Sequence, residues 1–401
     1  LSIILMLIIY FIPETIIKII APALPESTMQ TAGELLKWLL LLLIGYSLFN
    51  VLSSVYNAIH HFKIPAITDM FSNLFIITAL IFLSSAYGIY ALVTGMTVSS
   101  YVVLFIFLIH LFYQRIIGFN FNLQSKEFKE FLLFVGPVLL FMFLMQVSGI
   151  IENFYTSSLK EGSIASLGYA KRLYDIIPTL LIANIAKAVF PTFSTLYSEQ
   201  KIDALRDLVI KLNKQFIIYF LPISFALIFF RREIISIIFM RGAFDEAALD
   251  LTSSAFMFYT LGLIATTLIP VFFRLCYAFS DSISPLTAVS MSTASMIILN
   301  YFLTPAMGIS GVALSNSLSA CITLLVLGFL VRKKIGGIDL IPLIKSFFIS
   351  ISCSAAALLP FISFSFSNSF FISFLIPLYF ILYLSLGLLI SKKEFSIVWI
   401  I

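Results

Sequence analysis

Apolar stretches of about twenty residues recur along the whole chain, and each is long enough to cross a hydrocarbon layer roughly 30 Å thick. Because lipid offers no partners for backbone N–H and C=O groups, runs of this length fold as helices, which satisfy those groups internally. Turn signals separate twelve such runs, at residues 2–22, 35–57, 66–86, 89–113, 130–157, 163–189, 215–238, 250–277, 284–303, 309–331, 342–364 and 368–391. The pattern predicts an all-α polytopic membrane protein with about twelve transmembrane helices.

Composition and motifs exclude several other classes of protein. Hydrophobic residues make up 61% of the chain, charged residues 11%, and the mean hydropathy is +1.10, which excludes an ordinary soluble domain. The three cysteines lie singly in separate apolar runs, and the three histidines do not have zinc-binding spacing. Neither a Walker A motif nor a GxSxG motif is present. We therefore expect a transporter rather than an enzyme, with no cofactor beyond a coupling ion.

Basic residues are distributed unevenly between the two sides of the predicted helices. If the first run starts in the cytoplasm, the inside segments carry thirteen Lys and Arg residues and the outside segments carry four. The inside residues are Lys63, Arg115, Lys126, Lys129, Lys201, Arg206, Lys211, Lys214, Arg332, Lys333, Lys334, Lys392 and Lys393, and the outside residues are Lys160, Arg231, Arg232 and Arg241. The positive-inside rule then places the C-terminus in the cytoplasm and explains the net charge of +5 without a nucleic acid partner.

The chain also repeats itself at an offset of 220 residues. Ala58 recurs as Ala278, Pro65 as Pro285, Gly88 as Gly308 and Ser99 as Ser319. Internal repeats in apolar chains are typical of transporters, whose substrate path runs between related halves. The second half begins near Glu127, and 127 minus 220 is −93, so about ninety residues of the first half are expected to be absent. The repeat predicts an incomplete lobe at 1–118, a six-helix lobe at 127–335 and an appended helix pair at 342–391.

One charged cluster interrupts an apolar run. On a helix, Arg172 and Asp175 are three residues apart and Lys171 and Asp175 are four apart, so the carboxylate can hold either cation. Because a charge inside a membrane costs about 2.5–3.5 kcal/mol, the cluster should face the protein interior or a water-filled cavity. Pro178 removes a backbone hydrogen bond and allows a bend beside the charges. The cluster is either an anion-binding site, with Arg172 suited to bidentate phosphate contact and Lys171 acting as a point charge, or a structural ion triad.

Two other polar groups remain open to two interpretations. Glu152, with Asn300 and Asn316 in later runs, could bind Na⁺ or take a proton, or these side chains could simply form hydrogen bonds between helices. Arg274 closes the eighth run and could contact a substrate near the cytoplasmic mouth or anchor the helix at the interface. The amphipathic connection 192–214 is expected to lie along the cytoplasmic surface as a linking helix.

The segment that contains the charged cluster resembles a known family. Residues 162–178, GSIASLGYAKRLYDIIP, are similar to the eighth-helix signature of the MurJ/MviN lipid II flippases. Supporting matches lie at 21–22, 57–66, 239–244 and 274–285. This family has fourteen helices, arranged as two inverted-V lobes plus a final pair, as in the multidrug/oligosaccharidyl-lipid/polysaccharide (MOP) exporter superfamily. The chain resembles helices three to fourteen, so it is expected to be an N-terminally truncated member that lacks the first two.

The resemblance implies a function in peptidoglycan biosynthesis. Members of the family move lipid II from the inner to the outer leaflet of the bacterial inner membrane by alternating access, and arginines in a central cavity hold the anionic headgroup. Arg172 matches an essential arginine and Asp175 a nearby acidic position, whereas Lys171 departs from the acidic or polar residue that is usual there. The predicted cation-binding residues Glu152, Asn300 and Asn316 fall near the family's proposed sodium site, in which Met296 replaces one expected ligand. The expected partners are lipid II and membrane lipids, and the expected state is a monomer.

Two alternatives to a lipid II flippase remain open. The chain could be an exporter of another lipid-linked polysaccharide, which would share the architecture and differ in its contacts with the headgroup. It could also be a truncated membrane protein that does not transport. The DNA upstream of Leu1 would separate these hypotheses. A stop codon with a nearby start would favour a truncated protein, whereas basic residues in two further in-frame helices would favour lipid II over another polysaccharide.

Overall fold

The computed structural model describes residues 6, 9–58, 63–114, 126–337, 339, 341–362 and 372–391. These residues form α-helices joined by short turns, which we number α1 to α15. Their bounds are α1 Pro13–Ile20, α2 Glu26–Ala58, α3 Lys63–Tyr87, α4 Tyr90–Gln114, α5 Lys126–Thr156, α6 Ser163–Ile177, α7 Ala183–Ser198, α8 Ile202–Phe229, α9 Arg231–Phe239, α10 Glu246–Leu261, α11 Leu263–Ala278, α12 Ile283–Met307, α13 Ile309–Ile335, α14 Ile341–Leu358 and α15 Ile372–Ile390. A π-helical turn, Pro178–Ile182, joins α6 to α7.

The predicted fold class, an all-α polytopic membrane protein, is confirmed. Among the described residues, nine helical spans are long and apolar enough to cross a membrane, and α10 with α11 forms a tenth as a bent pair. Helices α6 and α7 count as one of these spans, Ser163–Ser198. The predicted run at 2–22 lies partly outside the described residues, and the last run contains α15. Ten of the twelve predicted runs therefore coincide with spans of the described structure.

The chain divides into two compact units, Leu1–Gly136 and Pro137–Ile401. The division falls within α5, about ten residues beyond the linker that the repeat predicted between its first two lobes. The second unit includes the appended pair, because α14 packs along α8 and against α15.

The appended pair also completes the hydrogen bonding of α8. Pro222 lies inside α8 and has no N–H, so the carbonyl of Ile218 loses its intrahelical donor. The buried hydroxyl of Tyr383, on α15, donates to that carbonyl at 2.7 Å, and the buried hydroxyl of Tyr379 donates to the Pro222 carbonyl at 3.2 Å. Both tyrosine hydroxyls thereby find the partners that burial requires.

The 220-residue repeat is visible in the helix bounds of the two units. Adding 220 to the bounds of α3 gives 283–307, which are the bounds of α12, and adding 220 to those of α4 gives 310–334, within one residue of α13 at each end. Adding 220 to α2 gives 246–278, the combined bounds of α10 and α11. The repeat that four residue pairs predicted is thus confirmed over three successive helical segments.

Side-chain and backbone details repeat as well. Ser72 on α3 donates a hydrogen bond to the Ser99 hydroxyl on α4 at 3.2 Å, and Ser292 donates to the Ser319 carbonyl at 3.2 Å. The turns that join these helix pairs contain Gly88 and Gly308, with φ of 53° and 59°. This left-handed region favours glycine, so the same residue type recurs at the same turn.

The amphipathic connection was predicted wrongly. Helix α7 ends at Ser198, and the stretch from Ile202 onward is the first part of the 28-residue helix α8 rather than a separate surface helix. Its apolar residues Leu205 and Val209 are buried in the core of the second unit. The amphipathic pattern therefore reflects burial against protein and not against lipid headgroups.

Candidate functional site

Helix α6 carries the predicted charged cluster. Gly162 precedes the helix in a left-handed conformation, with φ of 83°. One face of α6 is buried against α10 through Leu167, Ala170 and Tyr174. The Tyr174 ring stacks on Tyr259, with ring centroids 5.6 Å apart, and its hydroxyl lies 2.6 Å from that of Thr266. This packing fixes the orientation of α6, so Arg172 and Asp175 lie on its exposed side.

Lys171 pairs with a carboxylate on another helix. Its Nζ lies 2.5 Å from Oε2 of Glu152 on α5, and Nδ2 of Asn316 on α13 donates to Oε1 of the same carboxylate at 2.6 Å. The Glu152 side chain is only 4% exposed, so this is a buried ion pair. Lys171 therefore pairs with Glu152 rather than with Asp175, one of the two intrahelical partners that helical spacing allowed, because a buried carboxylate needs the cation more than an exposed one does.

Arg172 presents a free guanidinium. Its side chain is exposed, and within the described ranges it has no hydrogen-bonding or ion-pair partner. Asp175 is also exposed and takes part in no ion pair among these residues. An arginine with all its donors available can bind a phosphate through two parallel hydrogen bonds. The structural ion triad that the sequence left open is therefore replaced by a Glu152–Lys171 pair and a separate arginine.

The helix changes its hydrogen-bonding pattern immediately after this cluster. Pro178 begins the π-helical turn Pro178–Ile182, after which α7 resumes regular helical bonding. The proline has no N–H for the carbonyl of Tyr174, so the regular ladder cannot pass through this position. The hydrogen-bonding pattern thus changes beside the charges, as the missing N–H of Pro178 predicts, and the bend stays a prediction. Such π-helical turns are frequent at functional sites.

Arg274 lies far from the charged cluster. Its guanidinium stacks on the ring of Phe190, on α7, at 5.8 Å from the ring centroid. Phe190 is eighteen residues after Arg172 along one helical span, a separation of about 27 Å at 1.5 Å per residue. The structure therefore does not bring Arg274 and Arg172 to one binding position.

The predicted sodium ligands are only partly brought together. Glu152 contacts Asn316, but the hydrogen bonds of Asn300 lie within its own helix: its amide donates to the Met296 carbonyl at 2.9 Å, and its side-chain oxygen accepts from Thr304 at 3.2 Å. Both oxygens of Glu152 already have donors, and a sodium ion needs several free oxygen ligands. With Lys171 in place, these residues therefore fit a sodium ion poorly.

An ion pair that the sequence did not predict joins the end of α13 to the turn between α11 and α12. Lys334, at the end of α13, lies 2.6 Å from the Asp281 carboxylate, which also accepts hydrogen bonds from the backbone and hydroxyl of Ser284. Desolvation raises the pKa of Asp281, but the hydrogen bonds from Lys334 and Ser284 outweigh it and lower the pKa to about 2. The sequence signal for this contact is an acidic residue three positions before Ser284, at the start of α12.

Solved structures show the class of this fold. An inward-facing multidrug resistance MATE family transporter of the MOP superfamily superposes with a TM-score of 0.69 at 15% identity, over 84% of this chain and 79% of that one. A structure titled "Lipid II flippase MurJ, inward closed conformation" superposes with a TM-score of 0.83 at 25% identity, over 98% of this chain and 81% of that one. The fold is therefore that of the transporters of the MOP superfamily.

The sequence comparisons are more specific. The family model described as "Lipid II flippase MurJ" matches residues 1–381, and the chain belongs to that family. A relative from Buchnera aphidicola subsp. Schizaphis graminum is 26% identical over 326 residues, and one from Thermotoga maritima is 27% identical over 307 residues. Both carry the name "Probable lipid II flippase MurJ". The matched regions cover 80% and 77% of this chain and 63% and 62% of the relatives.

Proposed function

We propose that this protein moves lipid II from the inner to the outer leaflet of the bacterial inner membrane by alternating access. Support comes from membership of the MurJ family and from a fold shared with MOP transporters. Proteins with this fold have apolar helices throughout, so an anionic headgroup needs cations placed on those helices. The protein acts as a transporter rather than an enzyme.

The free guanidinium of Arg172 is the observation that carries the proposal. Lys171 is neutralised by Glu152, whereas Arg172 keeps its charge and its hydrogen-bond donors available to a ligand. Lipid II carries a diphosphate between its isoprenoid chain and its sugars, and two phosphate oxygens match the fork of a guanidinium. We assign Arg172 to the diphosphate, because Glu152 already uses the charge of the neighbouring Lys171.

Asp175 and Arg274 have different parts in this proposal. Asp175 lies one turn after Arg172 on the exposed side of α6, where it limits the net positive charge and favours release of the headgroup. Arg274 meets the headgroup at the cytoplasmic mouth, before the headgroup reaches Arg172, because the two guanidinium groups are too far apart to hold one diphosphate together.

The test is replacement of Arg172 in the protein expressed in bacterial cells. The unchanged protein should restore growth of a cell depleted of its own lipid II flippase, and we expect Arg172→Ala not to restore it. Arg172→Lys should restore growth only weakly, because the bidentate contact is lost. Arg332→Ala removes an exposed arginine at the end of α13 and serves as the matched control. Normal growth with Arg172→Ala, at equal protein level, would remove Arg172 from the mechanism.

We also propose a topology and an oligomeric state. The distribution of basic residues favours a cytoplasmic C-terminus, although Lys392 and Lys393 lie outside the described residues. A C-terminal green fluorescent protein should fluoresce and a C-terminal alkaline phosphatase should be inactive, and the opposite result would invert the orientation. We propose that the protein acts as a monomer, which light scattering of the purified protein would check.

A further inference from the structure

The buried carboxylate of Glu152 needs a permanent counter-charge. This residue is 3% exposed and lies on α5. Removing an ionised carboxylate from water without a partner costs several kcal/mol, so such a group is paired, coordinated to a cation or protonated. In many transporters that need is met by an inorganic cation held between discontinuous helices.

In this chain the charge comes from the protein itself. The Lys171 ammonium lies 2.5 Å from one oxygen of Glu152, while the Asn316 amide donates to the other at 2.6 Å. The pair joins three helices, because α5 supplies the carboxylate, α6 the ammonium and α13 the amide. A sodium ion would have to displace a charged donor that is covalently attached to the neighbouring helix.

The remaining predicted sodium ligand, Asn300, is already hydrogen-bonded within its own helix. The side-chain oxygen of Asn300 accepts the Thr304 hydroxyl, and the Asn300 amide is held by the carbonyl of Met296. The Met296 side chain offers only a soft thioether, which is a poor ligand for a hard cation such as Na⁺.

We propose that Lys171 is a tethered cation that takes the place of a free inorganic cation at Glu152. The charge of this buried site is then constant through any cycle, and no ion enters or leaves here. The Lys171 side chain remains 32% exposed against 4% for Glu152, so the ammonium is the part of the pair that solvent reaches. This inference concerns cation binding alone and does not depend on what the protein transports.

The test compares the thermal unfolding of the purified protein in NaCl, KCl and choline chloride at one ionic strength. We expect the wild-type midpoint to be the same in all three salts. Lys171→Met frees the Glu152 oxygen that the ammonium occupies, so we expect this variant to bind sodium and to unfold several degrees higher in NaCl than in KCl. A ligand that binds only the folded state stabilises it by mass action. Lys187→Met, which removes an exposed lysine on α7, is the matched control and should behave as wild type.

Three results would overturn the proposal. Two of them are a sodium-specific rise in the wild-type midpoint and a Lys171→Met midpoint that does not respond to sodium. The third concerns Glu152→Gln/Lys171→Met, which covers the case in which the single variant does not fold. If the two groups are coupled, this double variant should be more stable than either single variant. Each single change leaves one charge of the pair without its partner, whereas the double change removes both charges. A double variant as unstable as the sum of the single changes would show that the groups are independent.

Discussion

The same repeated segment is a single helix in one unit and a broken helix in the other. Helix α2 runs unbroken for 33 residues, whereas its counterpart 220 residues later is interrupted at Gly262 and bends by 48° between α10 and α11. The two helices that follow this segment keep their bounds to within one residue in both units. The difference therefore arises inside the segment and not from its connections.

A glycine and a serine on the next helix produce the break. A Cβ on Gly262 would lie 2.9 Å from the Cα of Ser317, so only glycine allows α13 to come this close. The Gly262 N–H donates to the Tyr259 carbonyl, which leaves the Phe258 carbonyl without its usual donor. The Ser317 hydroxyl donates to both carbonyls, at 2.6 Å for Phe258 and 3.0 Å for Tyr259. A side chain of the neighbouring helix α13 thus supplies the hydrogen bonds that the broken helix lacks.

The equivalent positions in the first unit are Leu42 and Thr97. Helix α2 is continuous here, so it offers no free carbonyl, and the buried Thr97 hydroxyl has no hydrogen-bond partner among the described residues. In the first unit, α2 and α4 approach each other closely three residues after Leu42 and Thr97. A Cβ on Gly45 of α2 would lie 2.5 Å from Oγ of Ser100 on α4. Two side-chain choices per unit therefore decide whether the segment is one helix or two.

The break also connects to the charged cluster of the second unit. Thr266 lies one turn beyond Gly262, and its hydroxyl meets that of Tyr174 on α6, three residues from Lys171. The position equivalent to Thr266 in α2 is Tyr46, which is exposed. The broken helix thus contributes directly to the placement of α6, whereas its continuous counterpart has a tyrosine on its surface.

Exchange of the glycine should have the largest effect. Gly262→Leu gives the broken helix the residue of its continuous counterpart, and we expect a loss of about 3 kcal/mol or more because backbone atoms of Ser317 block the side chain. The reverse change, Leu42→Gly, should cost only about 1 kcal/mol of helix propensity plus a small loss of packing. Chemical denaturation in detergent would measure both, and equal losses would contradict the role of the close approach.

Removal of the serine hydroxyl should have the next largest effect. Ser317→Ala leaves the Phe258 carbonyl unpaired, and we expect a loss of about 1–3 kcal/mol. The matched change Thr97→Val removes a hydroxyl that has no described partner, so stability should stay the same or rise slightly. The same denaturation measurement applies, and a Thr97→Val loss as large as that of Ser317→Ala would show that both hydroxyls act alike.

A methyl group at Gly45 should have a moderate effect. Gly45→Ala places its Cβ against the Ser100 side chain, and we expect a loss of about 1–2 kcal/mol from overpacking. The double variant Gly45→Ala/Ser100→Ala should recover most of that loss, because the blocking atom is removed. Failure to recover in a double-mutant cycle would mean that the contact is with the backbone of α4 instead.

The smallest expected effect is a pH dependence confined to the second unit. Asp281 has a pKa lowered to about 2, so its ion pair with Lys334 stabilises the fold above pH 4 and is lost as the pH falls towards 2. Because both side chains reach solvent, we expect about 1 kcal/mol. The positions equivalent to Asp281 and Lys334 are His61 and Gln114, so the first unit has no such pair by sequence.

Thermal unfolding of wild type and Lys334→Met at pH 7 and pH 2 would check this dependence. The difference between their midpoints should shrink at pH 2, where Asp281 is half protonated even in the folded state. Lys333→Met, which removes the adjacent exposed cation, is the control and should give a difference that does not change with pH. A constant difference for Lys334→Met would exclude the ion pair as its cause.

The sequence predicted the parts of this fold that depend on local pattern and register. Run lengths predicted the spans, and four residue pairs predicted the repeat. The break at Gly262 was not predictable, because a glycine inside an apolar run is compatible with an unbroken helix unless a distant residue such as Ser317 approaches it. Helical spacing could likewise suggest only Asp175 as a partner for Lys171 or Arg172, since Glu152, the partner that Lys171 has in the structure, lies on another helix.

Helix α8 and the appended pair cannot be regarded as separate parts. A proline at position 222 would ordinarily weaken the middle of a buried helix, yet here the missing hydrogen bond is supplied by Tyr383, which lies 165 residues beyond the carbonyl that it contacts. Pro222 and the two tyrosines of α15 therefore depend on each other, although they lie far apart in the sequence. A variant, a chimera or a relative that keeps the proline must keep this helix hairpin, and one that loses the hairpin must restore an N–H to α8.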